Sequence, residues 1–246
     1  MSNGRLFGLD FFDGEIDEAA DAALSLPADG RGLRIVTPNS EIVLNARKDR
    51  ALQEALSGAD LILPDGVGLL LASRMTGRTL KNRIPGIDFA GAMMARLAGT
   101  GEGVFLLGAK PGVAEEAACR LQARYPGLRV VGTQHGYYAP EAESEIVGII
   151  KASGARFVLV CLGSPRQELW MQKYAPELSG CLMAGLGGAL DVFAGRIPRA
   201  PESWRAIGLE WLYRLLREPG RIGRVCRLPG IILAAYQEKR QVKNHG

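Results

Sequence analysis

A chain of 246 residues with 47% hydrophobic content and 23% charged residues is long enough to bury a full α/β core, which excludes intrinsic disorder. The formal charge of +4 hides an asymmetry: residues before 199 carry 20 Lys/Arg against 22 Asp/Glu, whereas Arg199 onward carries ten against four. The basic character therefore belongs to the C-terminal stretch, and charge alone does not choose among nucleic acid, anionic lipid and a phosphorylated substrate as its partner.

Four widely spaced cysteines, Cys119, Cys161, Cys181 and Cys226, form no CxxC pair, so buried thiols in a reducing compartment are expected. The N-terminal residues lack the apolar core of a secretory signal, and no stretch reaches the roughly 18 apolar residues of a membrane span. The expected location is cytoplasmic, free or peripheral to a membrane.

In chain order, a short strand is expected at 6–9, followed by an amphipathic helix at 16–26. From residue 32 to about 188, β-rich runs alternate with helical patterns. Strands are expected at 33–36, 61–63, 104–107, 129–131, 157–162 and 181–186. Helices are expected at 40–46, 50–56, 67–75, 88–97, 113–124 and 141–152. This alternation predicts an α/β fold with a parallel sheet and crossover helices. After about Pro198 it stops. The spacing of Leu209, Leu212, Tyr213 and Leu216 predicts an amphipathic helix broken near Pro219, with Arg221, Arg224 and Arg227 on one face beyond it. The expected organisation is a core at 1–198 and a small helical appendage at 199–246.

The turn after each strand carries the chemistry, because in a parallel sheet these turns share one edge and line the ligand crevice. They read Thr37-Pro38-Asn39, Pro64-Asp65-Gly66, Gly108-Ala109-Lys110-Pro111-Gly112, Gly132-Thr133-Gln134-His135-Gly136, Gly163-Ser164-Pro165-Arg166-Gln167-Glu168 and Gly185-Leu186-Gly187-Gly188. Two readings of Asp65 stand: a cap for the helix starting near Val67, or a general base at the crevice. The turns beginning at Gly108 and Gly163 fit phosphate binding at a helix N-terminus as well as they fit plain turn chemistry, and neither is a GxGxxG or Walker sequence.

The two histidines, His135 and His245, are far apart, no Cys/His spacing suits zinc, and no Asp-x-Asp is present, so a metal-free site is expected. His135 reads as a loop residue with a satisfied hydrogen bond, and the absence of GxSxG argues against a serine hydrolase. A departing diphosphate then needs arginines, for which Arg83, Arg214, Arg221 and Arg224 are candidates, or else these form a solvated basic face. Trp204, Trp211 and Tyr213 beside them suit either a membrane interface or packing of the appendage onto the core.

Together these motifs resemble the bacterial WecG/TagA/CpsF glycosyltransferases. The ordered set runs through Thr37-Pro38-Asn39, Pro64-Asp65-Gly66, Arg83-x-x-Gly86-x-Asp88, Tyr125-Pro126-Gly127 and Gly136-Tyr137-Tyr138. It continues through Leu162-Gly163-Ser164-Pro165-Arg166-Gln167-Glu168, Gly185-Leu186-Gly187-Gly188-Ala189-Leu190-Asp191, Ala194-Gly195, Arg199-Ala200-Pro201 and Glu210-Trp211-Leu212-Tyr213-Arg214-Leu215. The likeness implies a Rossmann-like core with a C-terminal appendage. It implies transfer of N-acetylmannosamine or a related hexose from a UDP-sugar to a polyprenyl-diphosphate-linked saccharide in cell-surface polysaccharide assembly. Transfer would invert the anomeric centre, without metal or cofactor, at the inner face of the cell membrane.

Carried over position by position, the resemblance makes Asp65 the base, with Thr37 and Asn39 lining the pocket and Arg83 a pocket arginine. Gln167, with Glu168 beside it, is the PxQE-type loop residue, and Arg214, Arg221 and Arg224 meet the diphosphate. The turns at Gly108 and Gly163 complete the expected substrate contacts. Arg166 departs from the lysine many members carry, and Leu186 from a common valine; both are conservative in charge or character. The implied partners are donor, acceptor and an anionic membrane surface, with no nucleic acid and a homo-oligomer left open. The rival readings are a nicotinamide-dependent oxidoreductase, against which the missing GxGxxG argues, and a non-catalytic membrane-recruited adaptor.

Overall fold

A computed structural model describes residues 3–27, 29–77, 80–201, 204, 213 and 228–244. The expected amphipathic helix around Leu209, the arginines Arg214, Arg221 and Arg224, and Trp211 and Cys226 lie outside the described residues.

The chain opens with an antiparallel hairpin, β1 (Asn3–Leu6) and β2 (Leu9–Phe12), where a single strand at 6–9 was expected. Phe7 and Gly8 form the two-residue turn, both at positive φ (53° and 76°), the twist that suits tight hairpins. Helix α1 (Ile16–Leu24) follows, closed at its start by a capping box between Glu15 and Glu18.

Alternating strands and helices then build the core: β3 (Leu33–Val36), α2 (Ser40–Ala46), α3 (Arg50–Ser57), β4 (Leu61–Ile62), α4 (Val67–Met75), α5 (Gly86–Leu97), β5 (Gly103–Gly108) and α6 (Val113–Arg124). The second half adds β6 (Arg129–Gln134), α7 (Glu143–Ser153), β7 (Ala155–Cys161), α8 (Arg166–Tyr174), β8 (Leu182–Gly185) and α9 (Ala189–Phe193). Six strands pair in parallel in the order β4-β3-β8-β7-β5-β6, an α/β Rossmann-like sheet.

β3, β5 and β8 are buried along their whole length, as expected of strands covered on both faces. Alternate residues feed two cores. Leu33, Ile35, Val104, Leu106, Phe157 and Leu159 pack with α1, α5, α6 and α9. Val36, Phe105, Leu107, Val158, Val160 and Met183 pack with the hairpin and with α2, α3, α4, α7 and α8.

The last described helix, α10 (Leu228–Asn244), lies against α4 and α2, with Ile231 and Ala235 in that second core. Both carboxylate oxygens of Glu238 accept the Phe7 amide, at 3.1 and 3.0 Å, so the hairpin turn clasps α10. Cys161 and Cys181 are buried as expected. Cys119 is exposed, a correction that follows from its position on the outer face of α6, between the buried positions Ala117 and Leu121. Among the described residues no helix is long and apolar enough to cross a membrane.

Candidate active site

Because all six strands run in parallel, their carboxyl ends meet one edge, and the expected turns lie along it in the order of the sheet. The chain leaves β5 toward β6 and β7 toward β8. The carboxyl ends of β5 and β7 therefore form a topological switch point, where α/β sheets open a crevice.

At the β4 end of this edge, Asp65 is half-buried. Its amide donates to the Pro38 carbonyl at 3.2 Å, which ties the β4 turn to the β3 turn. Its Oδ2 accepts the Gly86 amide at 3.4 Å, at the first residue of α5. The N-cap position of α4 is Gly66, which has no side chain to offer. The Asp65 carboxylate thus sits at the positive end of the twelve-residue α5 as well as beside α4. Gly86 approaches closely because it lacks a Cβ, which would stand 3.0 Å from Thr37 Oγ1. Ile84 N donates to Pro64 O at 2.8 Å and holds the segment carrying the half-buried Arg83 beside the Asp65 turn.

Thr37 is buried and donates through Oγ1 to the Gly185 carbonyl at 2.8 Å, reaching from β3 to the end of β8. Asn39 caps α2, its Oδ1 accepting the Glu41 and Ile42 amides at 2.9 and 3.1 Å.

At the switch point, Gly108 has φ 135°, and a Cβ there would stand 2.2 Å from the Cys161 carbonyl oxygen, so only glycine lets β5 and β7 close up. Gly136 N donates to Ala109 O at 2.8 Å and adds the β6 turn. The turn then enters the twelve-residue α6 through Gly112, at φ 83°. Gly163, at φ 78°, accepts the Gln167 amide at 2.9 Å and shapes the entry to α8.

Gln167 and Glu168 are both buried. Gln167 Oε1 accepts the Gly187 amide at 2.9 Å, and its Nε2 donates to Glu168 Oε1 at 2.9 Å. Burial pushes the Glu168 carboxyl above the ordinary carboxylate range, against the lowering effect of the Gln167 hydrogen bond. Arg166 donates to Gly136 O at 2.7 Å and stacks over the Tyr138 ring at 4.5 Å. Burial first, partly offset by Arg166, pushes the Tyr138 hydroxyl up to about 12. His135 is a half-buried loop residue, as expected, and its Nδ1 has no hydrogen-bond partner among the described residues.

Two clusters result. Thr37, Asn39, Asp65 and the Arg83 segment stand at the β3 and β4 ends; Gly108, Gly163, Gln167 and Glu168 stand at β5, β7 and α8. Thr37 and Gln167 join them through the end of β8. At about 4.8 Å per strand this edge runs roughly 19 Å from the β4 turn to the β5 turn, the length of an extended substrate. A carboxylate at one end suits a base, and glycine turns with helix N-termini toward the other suit the phosphate-bearing end of an extended substrate.

The sequence announced neither the Gly86 contact nor the ion pair of Arg199 with Asp88, which ties the segment after Pro198 to α5. Both partners of that pair stand inside quoted motifs, but nothing in their spacing announces a contact across 111 positions. Arg196 adds a two-pronged pair to Glu116 of α6, at 2.8 and 2.7 Å. Trp204 and Tyr213 meet edge-on with ring centroids 5.7 Å apart. A model of the glycosyl transferase WecG/TagA/CpsF family matches residues 5–245, and the chain therefore belongs to that family, as a glycosyltransferase with a sugar donor and an acceptor substrate.

Proposed function

We propose that the protein is an inverting, metal-independent hexosyltransferase of polysaccharide assembly. The donor is a UDP-sugar carrying N-acetylmannosamine or a related hexose, and the acceptor a polyprenyl-diphosphate-linked saccharide at the inner face of the cell membrane. The observation that carries this reading is Asp65, its carboxylate at the N-terminus of α5 and its backbone tied to the Thr37-Pro38-Asn39 turn.

In a single displacement, Asp65 takes the proton of the acceptor hydroxyl while that oxygen bonds to the anomeric carbon. The bond from that carbon to the diphosphate oxygen breaks on the opposite face, and UDP leaves with the electron pair. The amides and helix N-termini at Gly108 and Gly163, farther along the edge, are suited to the phosphate-bearing nucleotide end of the donor. Arg83, with Arg214, Arg221 and Arg224 of the appendage, would supply the positive charge that no metal provides.

Asp65→Asn keeps the shape and removes the base. The expected outcome is a loss of transfer of about 10²–10⁴-fold, with circular dichroism and donor binding unchanged. Full transfer by a folded Asp65→Asn protein would remove Asp65 from this role.

A further inference from the structure

We propose that Glu168 is a positioning residue: it fixes the Gln167 side-chain amide, and through it the Gly185-Leu186-Gly187-Gly188 turn that closes the crevice between the two clusters. The inference rests on reading that crevice as the active site.

A glutamine amide has one donor end and one acceptor end. Gly187 N–H needs the acceptor end, which it finds in Gln167 Oε1 at 2.9 Å. The opposite end, Nε2, must then meet an acceptor, and Glu168 Oε1 provides it at 2.9 Å. Glu168 is only 2% exposed and Gln167 3%, so water does not compete for either group. A Cβ on Gly185 would stand 3.1 Å from Gln167 Nε2, which places the amide directly on the β8 end. From the other side Thr37 holds the Gly185 carbonyl, and a Cβ on Gly86, whose amide meets Asp65, would stand 3.0 Å from Thr37 Oγ1. Hydrogen bonds of Glu168, Gln167 and Thr37 thus converge on the end of β8, and Thr37 packs close to the Gly86 backbone that meets the proposed base.

Burial raises the Glu168 carboxyl above the ordinary carboxylate range, while hydrogen bonds from Gln167, its own backbone and Ser164 act to lower it. Burying an acid costs stability, and here the oxygen that meets Gln167 Nε2 does what an apolar residue could not, which is to orient that amide.

The test compares Glu168→Ala, Glu168→Gln, Gln167→Ala and the double variant Gln167→Ala with Glu168→Ala, by amide exchange at Gly187 and by steady-state transfer. Loss of one buried hydrogen bond should speed Gly187 exchange about tenfold in Glu168→Ala and lower kcat about tenfold, with the donor KM within about twofold. Glu168→Gln, neutral and still offering a carbonyl acceptor, should restore both without lowering Tm. In the Gln167→Ala background, Glu168→Ala should cost nothing further, because the pair acts as one unit. If Glu168→Ala does not fold, Glu168→Met replaces it, keeping the volume while removing the acceptor. Wild-type Gly187 protection and kcat in that variant, failure of Glu168→Gln to rescue, or additive losses in the double variant would each overturn the proposal. The exchange readout needs no substrate, so a wild-type protein that transfers no sugar would defeat the functional reading while Glu168 is still judged.

Discussion

Single residues in this molecule work hardest where two chain segments must approach more closely than a side chain allows. Gly108 is the sharpest case: a Cβ would meet the Cys161 backbone, and φ is 135°. Gly108→Ala should cost more than about 2 kcal/mol and lower Tm by several degrees, with donor affinity falling as the switch point is prised open. A variant with wild-type Tm would show that the β5 and β7 ends can separate freely. A second residue-scale prediction concerns Asp60, which accepts both Arg31 nitrogens, at 2.9 and 2.6 Å, and the Arg34 amide at 2.7 Å. Burial acts to raise its pKa, but these bonds outweigh it and hold the carboxyl below its ordinary 3.8. The stability this gives is complete above the unfolded-state pKa and is lost as pH falls through the lower folded-state value. Urea midpoints should therefore decline below about pH 4, and Asp60→Asn should be about 1–3 kcal/mol less stable at pH 7 with a shallower acid limb. Equal acid slopes in the two proteins would refute the assignment.

At the scale of elements, α2, α4 and α6 begin and end where periodicity and turn residues place them, because each is bounded by proline, glycine or a capping side chain. The N-terminal hairpin was not legible: Phe7-Gly8 lacks the Asn-Gly or Asp-Gly signature of such turns, so two strands read as one. The carboxyl-edge turns were legible as a set because parallel strands force them together. The strand order was not, nor was the burial of Gln167 and Glu168, two polar residues that sequence alone would leave in solvent. The docking of α10 was equally hidden, since its buried Ile231, Ala234 and Ala235 alternate with exposed Ile232, Leu233 and Tyr236. Ile231→Ala should cost up to about 2–5 kcal/mol at this contact, enough to undock the helix. Limited proteolysis should then cut within α10 while the sheet amides keep their protection. If α10 stays protected, Glu238 and the hairpin turn suffice to hold it.

The whole molecule combines a slightly acidic stretch before residue 199 with a strongly basic one after it, and α10, part of the basic stretch, lies against α4 and α2. Its outward face shows Ile232, Leu233 and Tyr236, at 40%, 59% and 53% exposure, and α4 adds Leu71 at 46%. Exposed Lys239 and Arg240 stand at one end, with Arg240 stacked over Tyr236, and Arg47 and Lys48 of the α2 end lie near, where Arg47 donates to Gln237. Apolar side chains flanked by cations suit the boundary between headgroups and acyl chains, where each basic residue near an anionic surface adds about 1 kcal/mol. The full chain should therefore sediment with vesicles containing acidic phospholipid at low salt and be released as salt shortens the Debye length from about 10 Å at 0.1 M toward about 3 Å at 1 M. Leu233→Asp with Tyr236→Asp should weaken binding without altering transfer to a soluble, short-chain acceptor, because neither side chain lies at the carboxyl edge of the sheet. Removal of residues after Arg199 should abolish both binding and transfer, since it takes away α10 and the arginines Arg214, Arg221 and Arg224 together. The contrast between these variants separates a lipid contact from a contribution to the active site, and vesicle binding that survives the truncation would place the membrane-facing surface elsewhere on the core.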